Sequence, residues 1–208
     1  LAIHELRRKK RNGDVETLRE QLLRPESRSI GIPVRMHLTG APGRRKCTTD
    51  FKIKVISRWL KRAGASSDSP ATVLVGFSTD EFMRASNRRP INTEIPEYPL
   101  FDLNLDRSAC KSLIAAAGLP VPPKSACYFC PFSRPSDWLR MRRNRPDLFL
   151  AAVELERVLI NRSVGLGRNP VYFSRFCVPL DEAIVDDQPD LPLDGPGGES
   201  CDEGYCWT

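Results

Sequence analysis

The chain has 208 residues, 40% of them hydrophobic and 28% charged, which is the composition of a folded globular protein and not of a disordered one. It contains no signal peptide and no apolar stretch of the roughly 20 residues that a membrane span needs, which argues against secreted and membrane proteins. The net charge of +6 is distributed unevenly along the chain, since residues 1–62 carry net +11, residues 63–177 net +4 and residues 178–208 net −9. Such a basic body favours a nucleotide or nucleic acid as partner, although a merely solvated surface remains an alternative.

The first part of the chain predicts alternating helices and strands. Asp14 is the expected cap of a first helix, and Asp50 that of a second helix that ends near Gly64. The apolar run 71–77 is rich in valine and predicts a buried parallel strand.

The second part is more helical. Asp106 is the expected cap of a helix over 107–117, with Gly118 as its stop. Prolines predict the first turns of two further helices, over 135–143 and 146–162. From about residue 186 the chain is rich in Pro, Gly and Asp and predicts an irregular acidic tail.

Cysteine provides the most specific chemical signal. An odd count of 7 without a signal peptide favours a reducing, cytoplasmic location. Cys127 and Cys130 have a spacing that lets two thiolates reach one metal or cluster. A redox dithiol has the same spacing, but this pair lies between a proline-rich connector and Pro131, which favours ligation.

Further cysteines are needed to complete such a site. Cys47 follows three cationic residues and precedes a predicted helix, so it is expected to ionise readily. The tail adds Cys201 and Cys206. Because cysteine is the only recurrent soft ligand, an iron–sulfur cluster or zinc is expected.

Charged residues suggest where an anionic substrate would bind. Cations near Cys47 and beside the Cys127–Cys130 pair are candidates for phosphate binding: Arg44, Arg45, Lys46, Lys52 and Lys124. Asp80 and Glu81 follow the predicted strand 71–77, where parallel sheets bind ligands, and are candidates for holding Mg²⁺ or a ribose. Surface carboxylates without a ligand are the alternative. Arg84, three residues after Glu81, is a further candidate for binding the nucleotide or substrate.

A basic segment in the second half is a candidate nucleic-acid surface. It combines one aromatic residue, Trp138, with several arginines, and such a helix can follow a phosphate backbone. A solvated helix face is the alternative. The arginines are Arg134, Arg140, Arg142, Arg143 and Arg145.

Four sequence motifs, taken in order, resemble a known family. They are Cys-Thr-Thr-Asp-Phe-Lys-Ile from Cys47, Gly-Phe-Ser-Thr-Asp-Glu-Phe-Met-Arg ending at Arg84, Tyr-Pro-Leu from Tyr98, and Lys-Ser-Ala-Cys-Tyr-Phe-Cys-Pro-Phe from Lys124. The set is similar to the phosphoadenosine phosphosulfate (PAPS) reductase-like branch of the adenine nucleotide alpha-hydrolase, or PP-loop, superfamily. Within it, the chain resembles phage and bacterial relatives of the iron–sulfur subunit of DNA phosphorothioation systems.

The resemblance implies an α/β fold with a Rossmann-like parallel sheet, a helical C-terminal part and an irregular acidic tail. The expected divisions are a PP-loop-like domain over 1–132, a helical extension over 133–177 and the tail over 178–208. The family's Ser-Gly-Gly-x-x-Ser phosphate loop, which holds ATP, is not found in the sequence. We therefore expect either a fragment or a degenerate site, and weak binding of ATP by these 208 residues.

The predicted function is sulfur transfer to an adenylated nucleotide, DNA or tRNA. It would use a 4Fe-4S cluster held mainly by Cys47, Cys127 and Cys130, which would leave one iron site open to bind or activate sulfur. It would also use ATP with Mg²⁺ in the full-length enzyme and a sulfur donor protein. The tail is expected to fold over this site and to place Cys201 or Cys206 near Cys127 and Cys130, as a fourth ligand or a sulfur-relay thiol. One alternative is reduction of an adenylylated sulfate (PAPS or APS) by an attacking Cys206, and another is a non-catalytic, zinc-stabilised nucleic-acid-binding module.

Overall fold

A computed structural model describes residues 2–86, 90–122 and 126–185, which divide into two compact units. The first unit contains residues 2–7, 48–86 and 90–122, and the second contains residues 8–47 and 126–185. The second unit thus joins an N-terminal segment to the C-terminal half of the chain. This division was not expected from the sequence; the predicted ranges 1–132, 133–177 and 178–208 stay predictions, and most of the tail lies outside the described residues.

The first helix of the second unit, α1 (Leu18–Leu23), begins later than predicted. The Thr17 hydroxyl accepts a hydrogen bond from the Glu20 N–H, and the Glu20 carboxylate accepts one from the Thr17 N–H. This reciprocal capping box fixes the helix start, so the prediction of Asp14 as the cap is wrong. Asp14 instead lies in a turned segment, where Lys9 and Val15 form an antiparallel bridge.

Three helices from the C-terminal half form most of the second unit: α7 (Pro135–Asn144), α8 (Pro146–Gly165) and α9 (Leu180–Ala183). Proline occupies the first turn of α7 and α8, as the sequence predicts. A backbone N–H in the first turn has no acceptor within the helix, so proline, which lacks this N–H, loses no hydrogen bond there. A short antiparallel pair, β1 (Arg35–Met36) with β4 (Val171–Tyr172), links the N-terminal segment to this half.

The core of the second unit lies around the inner face of α8. Ala152 and Leu159 on this helix are fully buried, as are Phe173 and Leu180 beside it. Trp138 of α7 stacks on Phe173 with ring centroids 6.4 Å apart. Burial of these apolar side chains is the main stabilisation of the unit.

One buried carboxylate fastens two segments to α8. Glu156 is fully buried, and its Oε1 accepts a hydrogen bond from the Phe173 N–H at 2.5 Å while Oε2 accepts one from the Leu180 N–H at 2.6 Å. Burial raises the pKa of Glu156 to about 7, although the two backbone donors favour the ionised form and offset part of this rise. Glu156 therefore holds the start of α9 and the residue after β4 against the helix.

The first unit contains a parallel strand pair, β2 (Ala71–Leu74) and β3 (Glu94–Glu97), with Ala71 opposite Glu94. The predicted strand is therefore confirmed, but it is shorter than 71–77 and its residues alternate between half-buried and exposed. A parallel pair within a mixture of helices and small sheets is the part of the predicted α/β architecture that the described residues show.

Helices complete the first unit. The segment predicted to begin at Asp50 is helical from further upstream, beginning with α2 (Lys46–Thr48), whose first two residues belong to the second unit. It continues as a π-helical turn (Thr49–Ile53) and α3 (Lys54–Arg62). Asp50 lies inside it and pairs with Lys54 at 2.7 Å, so it does not cap a helix. The other helices are α4 (Phe82–Ser86), α5 (Pro99–Asp102) and α6 (Arg107–Ala116).

The cap of α6 agrees with the sequence. The Asp106 carboxylate accepts a hydrogen bond from the Ala109 N–H at 2.6 Å, and the helix ends before Gly118, whose φ of +72° suits glycine. Across the described residues, every helix is too short or too polar to cross a lipid bilayer.

Candidate functional site

The three cysteines predicted as main ligands all belong to the second unit. Cys47 is half-buried against the core, and its N–H donates to the Gly31 carbonyl at 2.8 Å. The Cys130 N–H donates to the Cys127 carbonyl at 3.0 Å, so the two residues are joined by a tight turn. Cys127 is exposed and Cys130 half-buried, and all three side chains are thiols.

A cation–π stack joins the two cysteine segments. The guanidinium carbon of Arg45 lies 3.9 Å from the centroid of the Phe132 ring, and that of Arg35 lies 5.4 Å from the same ring. Arg45 is two residues before Cys47, and Phe132 is two residues after Cys130. The stack therefore brings the segment that contains Cys47 beside the segment that contains the Cys127–Cys130 pair.

Arg45 of this stack has a polar atom without a protein partner. Its Nη1 is buried and has no hydrogen-bond acceptor among the described residues. A buried N–H group without an acceptor is unfavourable, and bound water, ions or ligands commonly supply one. The thiols are soft ligands that suit iron or zinc, and Arg45 offers a donor to an anionic group held beside them.

The described ranges do not contain a closed metal-ion site. Within them, no three His, Cys, Asp or Glu side chains are close enough to one another to hold a metal ion. Cys201, predicted as the fourth ligand, and Cys206, predicted as an attacking thiol, lie outside the described residues, as does Lys124. Ligation by the cysteines stays a prediction.

The predicted Mg²⁺ or ribose ligands belong to the first unit and have partners there. Asp80 Oδ2 accepts a hydrogen bond from the backbone N–H of Arg107, at 2.7 Å. Glu81 is buried and forms ion pairs with Arg84 and Arg107. These contacts hold Asp80 and Glu81 at the start of α6, and Arg84 is itself buried. The predicted roles of these three residues in substrate binding stay predictions.

The cations that were predicted to bind phosphate separate into three groups. Arg44 and Lys46 are exposed and line a cavity in the second unit. Arg45 instead stacks on Phe132. Lys52 is exposed on the π-helical turn of the first unit.

Trp138 does not belong to an exposed surface, so the placement of this residue on a nucleic-acid surface is wrong, whereas binding of nucleic acid by the arginines stays a prediction. Its side chain is 1% exposed and stacks inside the core, because α7 turns this face towards α8. Arginines of the same helix contact protein groups, since Arg140 pairs with Asp137 and Arg142 donates to the Ile184 carbonyl.

Sequence reasoning missed several residues of this region. Phe132 directly follows the Cys-Pro dipeptide, and an aromatic residue at that place was a usable signal. Arg35 had no such signal, because it approaches the Phe132 ring only through the fold. Arg28 and Arg168 also had none, because only the fold brings them to the cavity that Arg44 and Lys46 line.

Comparisons with protein families, with curated proteins and with solved structures found no match for this chain.

Proposed function

We propose that the chain holds a 4Fe-4S cluster through Cys47, Cys127 and Cys130 and uses it in sulfur transfer to an adenylated nucleotide or nucleic acid. The proposal includes a PP-loop-like, Rossmann-like domain to which the parallel strands β2 and β3 belong. Its sequence basis is the set of motifs around Cys47 and the Cys127–Cys130 pair.

The observation that carries the proposal is the stack of Arg45 on Phe132. It lies between two cysteine segments that are about 80 residues apart in the chain, and it leaves a buried guanidinium N–H without an acceptor among the described atoms. An anionic group beside the cysteines would supply that acceptor, with a charge-assisted hydrogen bond as the gain.

Each residue then has a defined part. The three thiolates would hold the cluster, which would supply iron to bind or activate sulfur. Arg45 donates to the anionic group and is held in place by Phe132. Arg44 and Lys46, both exposed, attract the phosphates of the substrate.

The cluster is tested by purifying the full chain without oxygen and measuring iron and acid-labile sulfide. We expect Cys47→Ser, Cys127→Ser and Cys130→Ser each to lose most of the iron. Cys110→Ser is the matched control, because Cys110 is also a half-buried thiol but belongs to the first unit, and it should keep its iron. Stoichiometric zinc without iron, or equal metal loss in all four variants, contradicts the proposal.

Sulfur transfer is tested separately. The iron-loaded chain is incubated with ATP, Mg²⁺, sulfide and either DNA or tRNA, and the digested nucleosides are analysed by mass spectrometry. Sulfur-containing nucleosides that form with wild type but not with the Cys130→Ser variant support sulfur transfer by the cluster. An iron-loaded chain that gives none with either DNA or tRNA contradicts it.

A further inference from the structure

The second unit contains a cavity of about 370 Å³. It lies between residues 28–46 of the N-terminal segment and residues 163–171, at the end of α8 and the start of β4. This volume is in the range of sites that bind small organic molecules. We call it the cationic pocket, after the four basic residues that line it: Arg28, Arg44, Lys46 and Arg168.

The inner wall of the cationic pocket is aliphatic. Ile32, Val34 and Val171 line it and are 2–3% exposed, so they are part of the core. Burial of a ligand's apolar surface against them is favourable at about 25 cal/mol per Å². The Ser163 hydroxyl, also in the lining, donates to the Asn169 carbonyl at 2.6 Å. The wall therefore suits the apolar part of a ligand better than a part that carries hydrogen-bonding groups.

The opening of the cationic pocket carries a concentrated positive charge. Its four basic side chains are exposed, and the lining contains no acidic residue. None of the four forms an ion pair with a carboxylate in the part of the chain that the structure describes. Like charges so placed repel one another, and a bound anion would relieve this repulsion.

Two hydrogen bonds to backbone carbonyls hold the pocket in shape. The Gly43 N–H donates to the Val34 carbonyl at 2.8 Å, which holds the residue before Arg44 beside Val34. Arg168 Nη1 donates to the Arg28 carbonyl at 3.2 Å, which joins the two sides of the opening. A preorganised site of this kind binds with a smaller loss of conformational entropy.

We infer that the cationic pocket binds a phosphate monoester with an apolar body. The apolar body would lie against Ile32, Val34 and Val171, with the phosphate between the basic side chains at the opening. A phosphate monoester suits four cations better than a carboxylate does, because it carries a charge of about −1.5 to −2 at neutral pH. This ligand class goes beyond the proposed sulfur transfer, and its binding requires no cluster.

The test measures binding of 1-naphthyl phosphate to the full chain by fluorescence, in comparison with 1-naphthol and inorganic phosphate. We expect 1-naphthyl phosphate to bind at least tenfold more tightly than either, because only it uses both parts of the pocket. Equal affinity for 1-naphthol or for inorganic phosphate overturns the inference. Tighter binding of 1-naphthoate than of 1-naphthyl phosphate overturns the choice of phosphate.

Variants locate the binding. The double substitution Arg44→Ala with Lys46→Ala should weaken the binding of 1-naphthyl phosphate by roughly tenfold or more, while the affinity for 1-naphthol should stay unchanged. Arg19→Ala is the matched control, because Arg19 is an exposed arginine on α1 of the same unit outside the pocket lining. Unchanged affinity in the double variant, or an equal loss in Arg19→Ala, contradicts the inference. Iron content measured on the same samples separates this result from the cluster proposal.

Discussion

The buried carboxylate of Glu156 makes the stability of the second unit depend on pH. We expect wild type to lose stability as the pH rises from about 4.5 to about 7, and Glu156→Gln to lack this loss. Below pH 4.5 the carboxyl is protonated in both states. Between the ordinary pKa of 4.5 and the raised pKa of about 7, the folded chain holds a proton that the unfolded chain has released. The folded state is therefore favoured by low pH.

The magnitude follows from the two pKa values. A difference of about 2.5 units corresponds to roughly 3 kcal/mol of stability that is present at pH 4.5 and lost above pH 7. Glu156 is fully buried, so solvent does not screen this effect strongly. Glutamine keeps the shape but presents an amide N–H₂ to one of the two backbone donors. A constant cost of about 1–3 kcal/mol is expected for that lost hydrogen bond.

The assay is urea unfolding followed by circular dichroism at pH values from 4.5 to 8. The free energy of unfolding of wild type minus that of Glu156→Gln should fall by roughly 3 kcal/mol over this range, from a positive value at pH 4.5 to about zero or a negative value at pH 8. Glu154→Gln is the matched control, because Glu154 is exposed on the same helix and should retain the wild-type profile. Parallel profiles for wild type and Glu156→Gln would show that Glu156 does not hold the proton. A difference that grows with pH would show that the two backbone donors outweigh the burial.

Three further predictions concern the core, a helix cap and the cysteine site. Leu159→Ala, in the core face of α8, should lower the free energy of urea unfolding by about 2–5 kcal/mol. Leu150→Ala, on the exposed face, should change it by less than about 0.5 kcal/mol. Similar losses of stability in the two variants would contradict the assigned faces. Thr17→Ala should cost about 1 kcal/mol in the same assay, and no loss would show that the capping box does not stabilise α1. Arg45→Lys keeps the charge but not the planar stack on Phe132, so we expect a lower iron content than in Arg19→Lys; equal content would remove Arg45 from the site.

Local signals were sufficient for much of the secondary structure. Proline at 135 and 146 and the Asp106 cap act within one helical turn, so the starts of α6, α7 and α8 could be predicted. The start of α1 was missed because two caps compete. Asn12-Gly13 forms a turn that returns Val15 to Lys9, which leaves Asp14 outside the helix.

The candidate site was predictable only in part. The Cys127–Cys130 spacing and the cations before Cys47 are local patterns, and they identify the segments that the Arg45–Phe132 stack brings together. The burial of Trp138 could not be read in the same way, because an aromatic residue among arginines fits both a core position and a surface position. Only the neighbouring helix decided between them.

The sequence by itself thus determined the residue chemistry, the main helices and one parallel strand, because each depends on contacts between near neighbours in the chain. The tertiary structure alone decided the burial of Glu156 and the formation of the cationic pocket. Arg28 and Arg168 are 140 residues apart and meet through one hydrogen bond, which the Arg168 guanidinium donates to the Arg28 carbonyl. Such contacts depend on how α8 and β4 pack against the N-terminal segment, and local hydrophobic periodicity carries no information about that packing.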